Sequence, residues 1–283
     1  MERSILVGVD GSEAALKAVD WAAAEAARRG RRLVLLTAQP LPSPEGAFIW
    51  SEAEIREEGP RILAEAEKRA AAAAPGVRTG GTAVVDAPAA ALLRHAEDAS
   101  MAVVGLRGRG GFPGLKVGSV AYRVAAHAKT PVTVVGPEPL PEDREGIVVG
   151  EDGSAQSGRA LAEAFDAASA TGEGVAAVRA WERPLPPVTS APMPYDFGVL
   201  RDIEEAALER AAAPWRTDFP SVRLRTEVVE ARPVPALVEA AKEARLIVVG
   251  ARGRRGIPRF ALGATAHGLL HRAECPVTIV HAA

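Results

Sequence analysis

Along the first half of the chain, apolar residues cluster in short continuous runs at 5–9, 33–37, 82–85, 101–104 and 132–135. Within these runs apolar side chains follow one another directly instead of alternating with polar ones, the pattern of strands buried on both faces of a parallel sheet. The intervening stretches at 13–29, 61–74, 89–98 and 119–128 are Ala-rich and helical in pattern, and Gly30 and Gly76 stand where helix-ending glycines belong. The predicted order βαβαβαβαβ describes a doubly wound α/β domain. Such a sheet binds ligands beyond the carboxyl ends of its strands, where strand order reverses, so function is expected in the loops after Val9, Thr37 and Val104.

The second half repeats the first. ILVGVDGS at 5–12 returns as IVVGEDGS at 147–154, an offset of 142 residues. VVGLRGRGG at 103–111 returns as VVGARGRRG at 248–256, and PVTVV from Pro131 returns as PVTIV from Pro276, both at an offset of 145. The 283 residues therefore divide into two domains, expected at 1–137 and 146–283, joined by the exposed linker PEPLPEDREG. The three extra residues enter between about Ala38 and Val77, where both copies carry Pro-rich, unpatterned sequence (40–44 and 184–194) suited to a loop.

Composition narrows the function classes. A net charge of −2, from 34 basic and 36 acidic residues, offers no long-range attraction to nucleic acid or an anionic membrane. The single cysteine, Cys275, forbids an intrachain disulfide and a cysteine-based zinc cluster, which suits a reducing compartment. No apolar stretch approaches the roughly 18 residues of a membrane span, and the run after Ile5 is too short for a signal-peptide core. A cytoplasmic protein without membrane insertion or nucleic-acid binding is expected.

Two constellations carry candidate chemistry. The first strand runs into Asp10-Gly11-Ser12, followed at once by a helix. Asp10 can accept hydrogen bonds from a ribose or adenine, or can simply organise the strand-to-helix turn, while Ser12 caps the helix. The fourth strand runs into Gly105-x2-Gly108-x9-Gly118-Ser119, with Ser119 opening the last helix of the domain. Glycines let backbone N–H groups approach a polyphosphate, and a hydroxyl at a helix N-terminus adds a donor where the dipole favours an anion. The second copy keeps the spacing as Gly250, Gly253 and Gly263 but has Ala264 in place of the hydroxyl, with Thr265 one position later.

Together these motifs make the chain resemble a tandem universal stress protein, two fused Rossmann-like universal stress domains of the ATP-binding branch, over nearly its whole length. The resemblance implies ATP with Mg2+, the adenine between the first two strands, the ribose near the Asp and the phosphates on the glycine loop. Carried onto this sequence, the implied contacts are Gly8, Val9, Asp10, Ala38, Gly105, Gly108, Gly118, Ser119 and Val120 in the first domain. In the second they are Gly150, Asp152, Ala180, Gly250, Gly253, Gly263 and Thr265. It also implies a regulatory module in stress adaptation with little or no turnover, a protein partner, and a homodimer. Last strands in this family pair between domains, which would cover the exposed edges of PVTVV and PVTIV.

The second copy departs at Ala264 and at Glu151, which stands where the first has Val9 and sets a negative charge near a polyanion, so a weaker second site is expected. Arg107, Arg109, Arg252, Arg254 and Arg255 lie on the glycine loops, as phosphate or partner contacts or as solvated charge. His267 and His271, four apart on a predicted helix, lack a third metal ligand and are read as surface or interface residues; Cys275 is read as a packing residue. The alternative readings are a slow ATPase or nucleotidyl-transfer enzyme and a nucleotide-free scaffold. Against the enzyme, the sequence has no G-x4-G-K-[ST] loop, and Pro113 occupies the place of the third glycine in a G-x-G-x-x-G reading.

Overall fold

The computed structural model describes residues 4–39, 52–110, 116–141, 143–183, 196–254 and 262–282. The first domain comprises β1 (Ser4–Gly8), α1 (Glu13–Arg28), β2 (Leu33–Gln39), α2 (Glu52–Ala73), β3 (Thr79–Val85), α3 (Pro88–Ala96), β4 (Ala99–Gly105), α4 (Ser119–His127) and β5 (Val132–Val135). The second comprises β6 (Ile147–Gly150), α5 (Ala155–Thr171), β7 (Val175–Trp181), α6 (Phe197–Asp218), β8 (Leu224–Glu230), α7 (Pro233–Ala240), β9 (Leu246–Gly250), α8 (Ala264–Arg272) and β10 (Val277–Val280). The expected α/β order holds in both halves. Gly30 follows the α1 C-cap with φ +62°, a conformation glycine adopts without steric cost.

Strand order is β3-β2-β1-β4-β5-β10-β9-β6-β7-β8. Strands within each domain pair in parallel, and β5 meets β10 antiparallel, with Thr133 opposite Thr278. The last strands thus pair inside one chain, fusing two five-stranded parallel sheets into a ten-stranded mixed sheet and removing two open edges. Thr133 and Thr278 occupy equivalent places in the repeat, and their buried hydroxyls hydrogen-bond at 2.8 Å. On the α4/α8 side another equivalent pair, Tyr122 and His267, meets edge to face with ring centroids 6.0 Å apart. Both pairs lie on the axis that relates the two domains.

Alternation along the strands sends Ile5, Val7, Leu33, Leu35, Met101 and Val103 into one core and Leu6, Leu36, Ala102 and Val104 into the other. α1, α2, α5 and α6 cover the first face; α3, α4, α7 and α8 cover the second. Each core runs through both domains without interruption. At the junction α1 and α5 are held by buried charge: Glu25 accepts from Arg29 and from Arg245 of the second domain, and Arg29 also reaches Glu163 and Asp166. No periodicity in the sequence announced this network.

Two differences from the sequence expectation have local causes, and the extra residues of the second copy fall where they were expected. α2 begins well before Arg61 and carries Pro60 inside it, where a helix start after the proline was expected. Gly59, just before that proline, packs so closely that its Cβ position lies 3.0 Å from Ala83. β3 is largely exposed instead of buried on both faces because it is an outer edge, as is β8, whose Arg225, Glu227 and Glu230 discourage pairing with another chain. Since β2 and β7 keep the offset of 142 while α2 and α6 are offset by 145, the extra residues fall in the connections after β2 and β7, largely outside the described residues.

Candidate functional site

The order β2-β1-β4 reverses between β1 and β4, and a cavity of about 410 Å³ opens there beyond the strand ends. Its apolar wall comes from Leu36, Val104 and Leu92, with Ile62 and Glu58 entering from α2 on the other side. Its polar end is the glycine loop and the first turn of α4, from Gly118 to Ala121. Gly118 is the N-cap of that helix and offers no side-chain oxygen to its first amides, which leaves donors for a guest. Nε2 of Gln39, at the end of β2 on the cavity wall, is buried and has no hydrogen-bond partner among the described residues.

Each residue of the glycine motif has a local reason. A Cβ on Gly105 would sit 2.6 Å from the Ala14 carbonyl oxygen, so only glycine lets the first turn of α1 rest on β4. A Cβ on Gly108 would collide with the Asp10 carboxylate. That carboxylate fastens two loops: Oδ1 accepts from Ser12 N and Oδ2 from Arg109 N, both at 2.9 Å. Ser12 in turn accepts from Ala15 N as the α1 N-cap. Asp10 thus organises the strand-to-helix turn and ties it to the glycine loop. Arg109 spends its backbone on Asp10, and its guanidinium pairs with Glu58 across the cavity mouth.

Asp10→Asn tests this fastening. Asn supplies one acceptor where two N–H donors converge, so one of Ser12 N and Arg109 N is left without its partner. The expected result is a loss of about 1–3 kcal/mol in local stability, read as hydrogen exchange at these two amides faster by tenfold or more. Unchanged exchange at both would refute the role.

The second domain repeats the frame. Asp152 accepts from Ser154 N and Arg254 N, both at 3.0 Å, and Gly253 leaves room for its carboxylate. Burial disfavours ionisation of Asp152, but the hydrogen bonds from Ser154 and Arg254 outweigh it and hold its pKa below the usual value. The cavity at this switch point measures only about 80 Å³.

A family model described as the universal stress protein family matches residues 1–136 and again 144–281. The chain belongs to the universal stress protein family. It is 35% identical over 299 residues to universal stress protein Rv1996 of Mycobacterium tuberculosis, covering 97% of this chain and 94% of that one. Universal stress protein Rv2005c of the same organism is 32% identical, with 98% and 97% covered. Among solved structures, a universal stress protein from Archaeoglobus fulgidus superposes with a TM-score of 0.69 at 19% identity over 99% of both chains, a likeness of fold.

Within this tandem universal stress protein, Gly8, Val9, Asp10, Ala38, Gly105, Gly108, Gly118, Ser119 and Val120 all line the first cavity. Around the second stand Gly150, Asp152, Ala180, Gly250, Gly253 and Thr265, while Gly263 serves as the α8 N-cap and does not line it. Arg255 lies outside the described residues. His267 and His271 lie on α8 with ring centroids 4.7 Å apart and tilted by 54°, and among the described residues no cluster of three metal-ligating side chains forms. Cys275 is buried, and burial pushes its thiol up to about 11.

The sequence reading missed Gln39, Glu58, Ile62 and Leu92, which carry no motif and meet only through the fold. It also misjudged the setting of Glu151. Its carboxylate does not face a polyanion alone, because Oε2 accepts from Arg179 Nη1 at 2.5 Å, with both residues 4% exposed. Oε1 accepts from Gly153 N at 2.6 Å. The signal was present: an arginine interrupts the apolar run VAAVRAW where the first copy has Thr37.

Proposed function

We propose that this universal stress protein is a nucleotide-dependent regulatory module that holds ATP with Mg2+ in its first domain and turns it over slowly or not at all. The observation that carries this reading is the first cavity, of a volume ordinary for a small-molecule site, with an apolar slot at one end and the N-terminus of α4, which has no side-chain cap, at the other. The orphaned Nε2 of Gln39 fits a ligand with ring-nitrogen acceptors, as adenine has. Gly105, Gly108 and the α4 N-terminus would hold the phosphates, whose oxygens supply most ligands for Mg2+. Asp10 supports low turnover, since its carboxylate is engaged by two backbone N–H groups in fastening the loops.

A regulatory role calls for a protein partner, and the chain itself leaves room for a homodimer. Because β5 and β10 are already paired with each other, that dimer would use a surface other than the last strands. A cytoplasmic setting agrees with the single buried thiol, and no helix among the described residues is long and apolar enough to cross a membrane.

Calorimetric titration of the nucleotide-stripped chain with MgATP is expected to give about one site per chain. Gln39→Leu is expected to weaken binding up to about tenfold, the worth of one buried hydrogen bond. No heat of binding at any ATP concentration would refute the nucleotide reading, and rapid phosphate release would favour an enzyme.

A further inference from the structure

The two domains share motif and topology, yet their cavities differ from about 410 to about 80 Å³. Most lining positions correspond, so the difference is local. The first cavity has a lobe between β2 and α2, lined by Thr37, Glu58 and Ile62. The second is lined by no described residue of α6, the counterpart of α2. What stands in that place is charge. Val9 of the first domain corresponds to Glu151, Thr37 to Arg179 and Gly59 to Glu204. In the first domain Val9 is buried and apolar, and the Gly59 Cβ position lies 3.7 Å from a Thr37 methyl, so these residues form a thin wall. In the second, Arg179 lies between two carboxylates, bonded to Glu151 Oε2 and to Glu204 Oε2, each at 2.5 Å.

We infer that the Glu151–Arg179–Glu204 triad is the specificity determinant of the second site: it fills the lobe that the first domain leaves open and shuts the second domain to the ligand the first accepts. The remaining space suits a few water molecules and not a nucleotide. Glu151 and Arg179 work only as a pair, because either one buried here without the other would be an unpaired internal charge, and Glu204 adds a second carboxylate to the arginine from α6. The second domain therefore keeps its Asp152 fastening and glycine loop as structure while its pocket is closed. Ala264, the other departure from the motif, is not the reason.

The test exchanges the triad in both directions. E151V/R179T/E204G copies the first domain into the second, and V9E/T37R installs the ion pair in the first without touching the tightly packed Gly59. The inference takes its ligand from the nucleotide reading above, so MgATP is the first probe and stoichiometry by calorimetry the readout. Wild type is expected to bind one equivalent, the triple variant two, and V9E/T37R at least tenfold more weakly than wild type. Two equivalents on wild type, or one on a folded triple variant, would overturn the inference. If wild type binds no nucleotide, the functional reading falls alone. Crystal structures of the two variants then decide: a lobe gained in one and lost in the other upholds the triad, and cavities unchanged in volume refute it. Should the triple variant not fold, V9E/T37R decides by itself through its first cavity.

Discussion

Arg245→Ala is expected to cost about 3–5 kcal/mol of stability, because it takes from Glu173 its ion-pair partner among the described residues and from Glu25 one of the arginines that hold it, leaving Arg29 and Arg28. Glu25 is 0% exposed and Arg245 3% exposed, and their ion pair at 3.2 Å joins α1 of the first domain to the start of β9 in the second. Arg245 also donates to both oxygens of Glu173. Burial works to raise the pKa of Glu25, but the combined fields of Arg245, Arg29 and Arg28 hold it below its ordinary value of 4.5. A carboxyl whose folded pKa is lowered contributes stability in full above its unfolded pKa and loses it as pH falls through the folded value. Wild type should therefore weaken steadily below about pH 4.5, and Arg245→Ala should weaken less steeply there because the loss has already been taken at neutral pH. Glu163 acts in the opposite sense, since burial outweighs its pairing with Arg29 and raises its pKa. Comparison with Glu25→Gln isolates the Glu25 contribution. Urea unfolding from pH 7 to pH 3 provides the measurement, and a neutral-pH loss under about 1 kcal/mol would refute the account.

The second large effect is expected at Gly105→Ala. One methyl there must displace the backbone of Ala14, whose carbonyl carbon and oxygen lie 2.7 and 2.6 Å from the new atom. Backbone in the first turn of a capped helix does not step aside as a flexible side chain does. We expect destabilisation of about 2–3 kcal/mol, at the upper end of overpacking costs, together with at least a tenfold loss of ligand affinity as the loop holding Asp10 and Gly108 shifts. Gly250→Ala, the equivalent change, meets Cβ of Gln156 at 2.8 Å and its backbone carbon at 3.1 Å, both longer than the contacts at Gly105, and should cost less. Equal effects at the two positions would show that contact with the α1 backbone is not what glycine protects.

Much of this architecture was legible in the sequence because its causes are local. Continuous apolar runs identify strands buried on both faces, Gly30 and Gly76 end helices where only a positive φ fits, and the repeat at offsets of 142 and 145 reveals two domains before any motif is interpreted. The glycine motif was equally legible, since close approach of backbone to backbone can be met only by glycine. Membership in the universal stress protein family follows from the same residues.

The tertiary structure decided what depends on partners distant in the chain. Asp10 is a loop fastener because Arg109 N, 99 residues away, arrives at its carboxylate. Gln39 matters only because its end of β2 forms a cavity wall, and polar residues at strand ends have no periodic signature. Glu151 reads from sequence as a charge exposed to the ligand, and in the fold it is one member of a buried ion group whose other members come from β7 and α6. Local patterns report a residue's own burial and turn preference, whereas the sign and effect of a buried charge depend on what the fold brings against it. For that reason the sequence alone determined two domains with one motif and marked the second as different at Glu151 and Ala264, and only their packing decided that the difference is one of pocket volume.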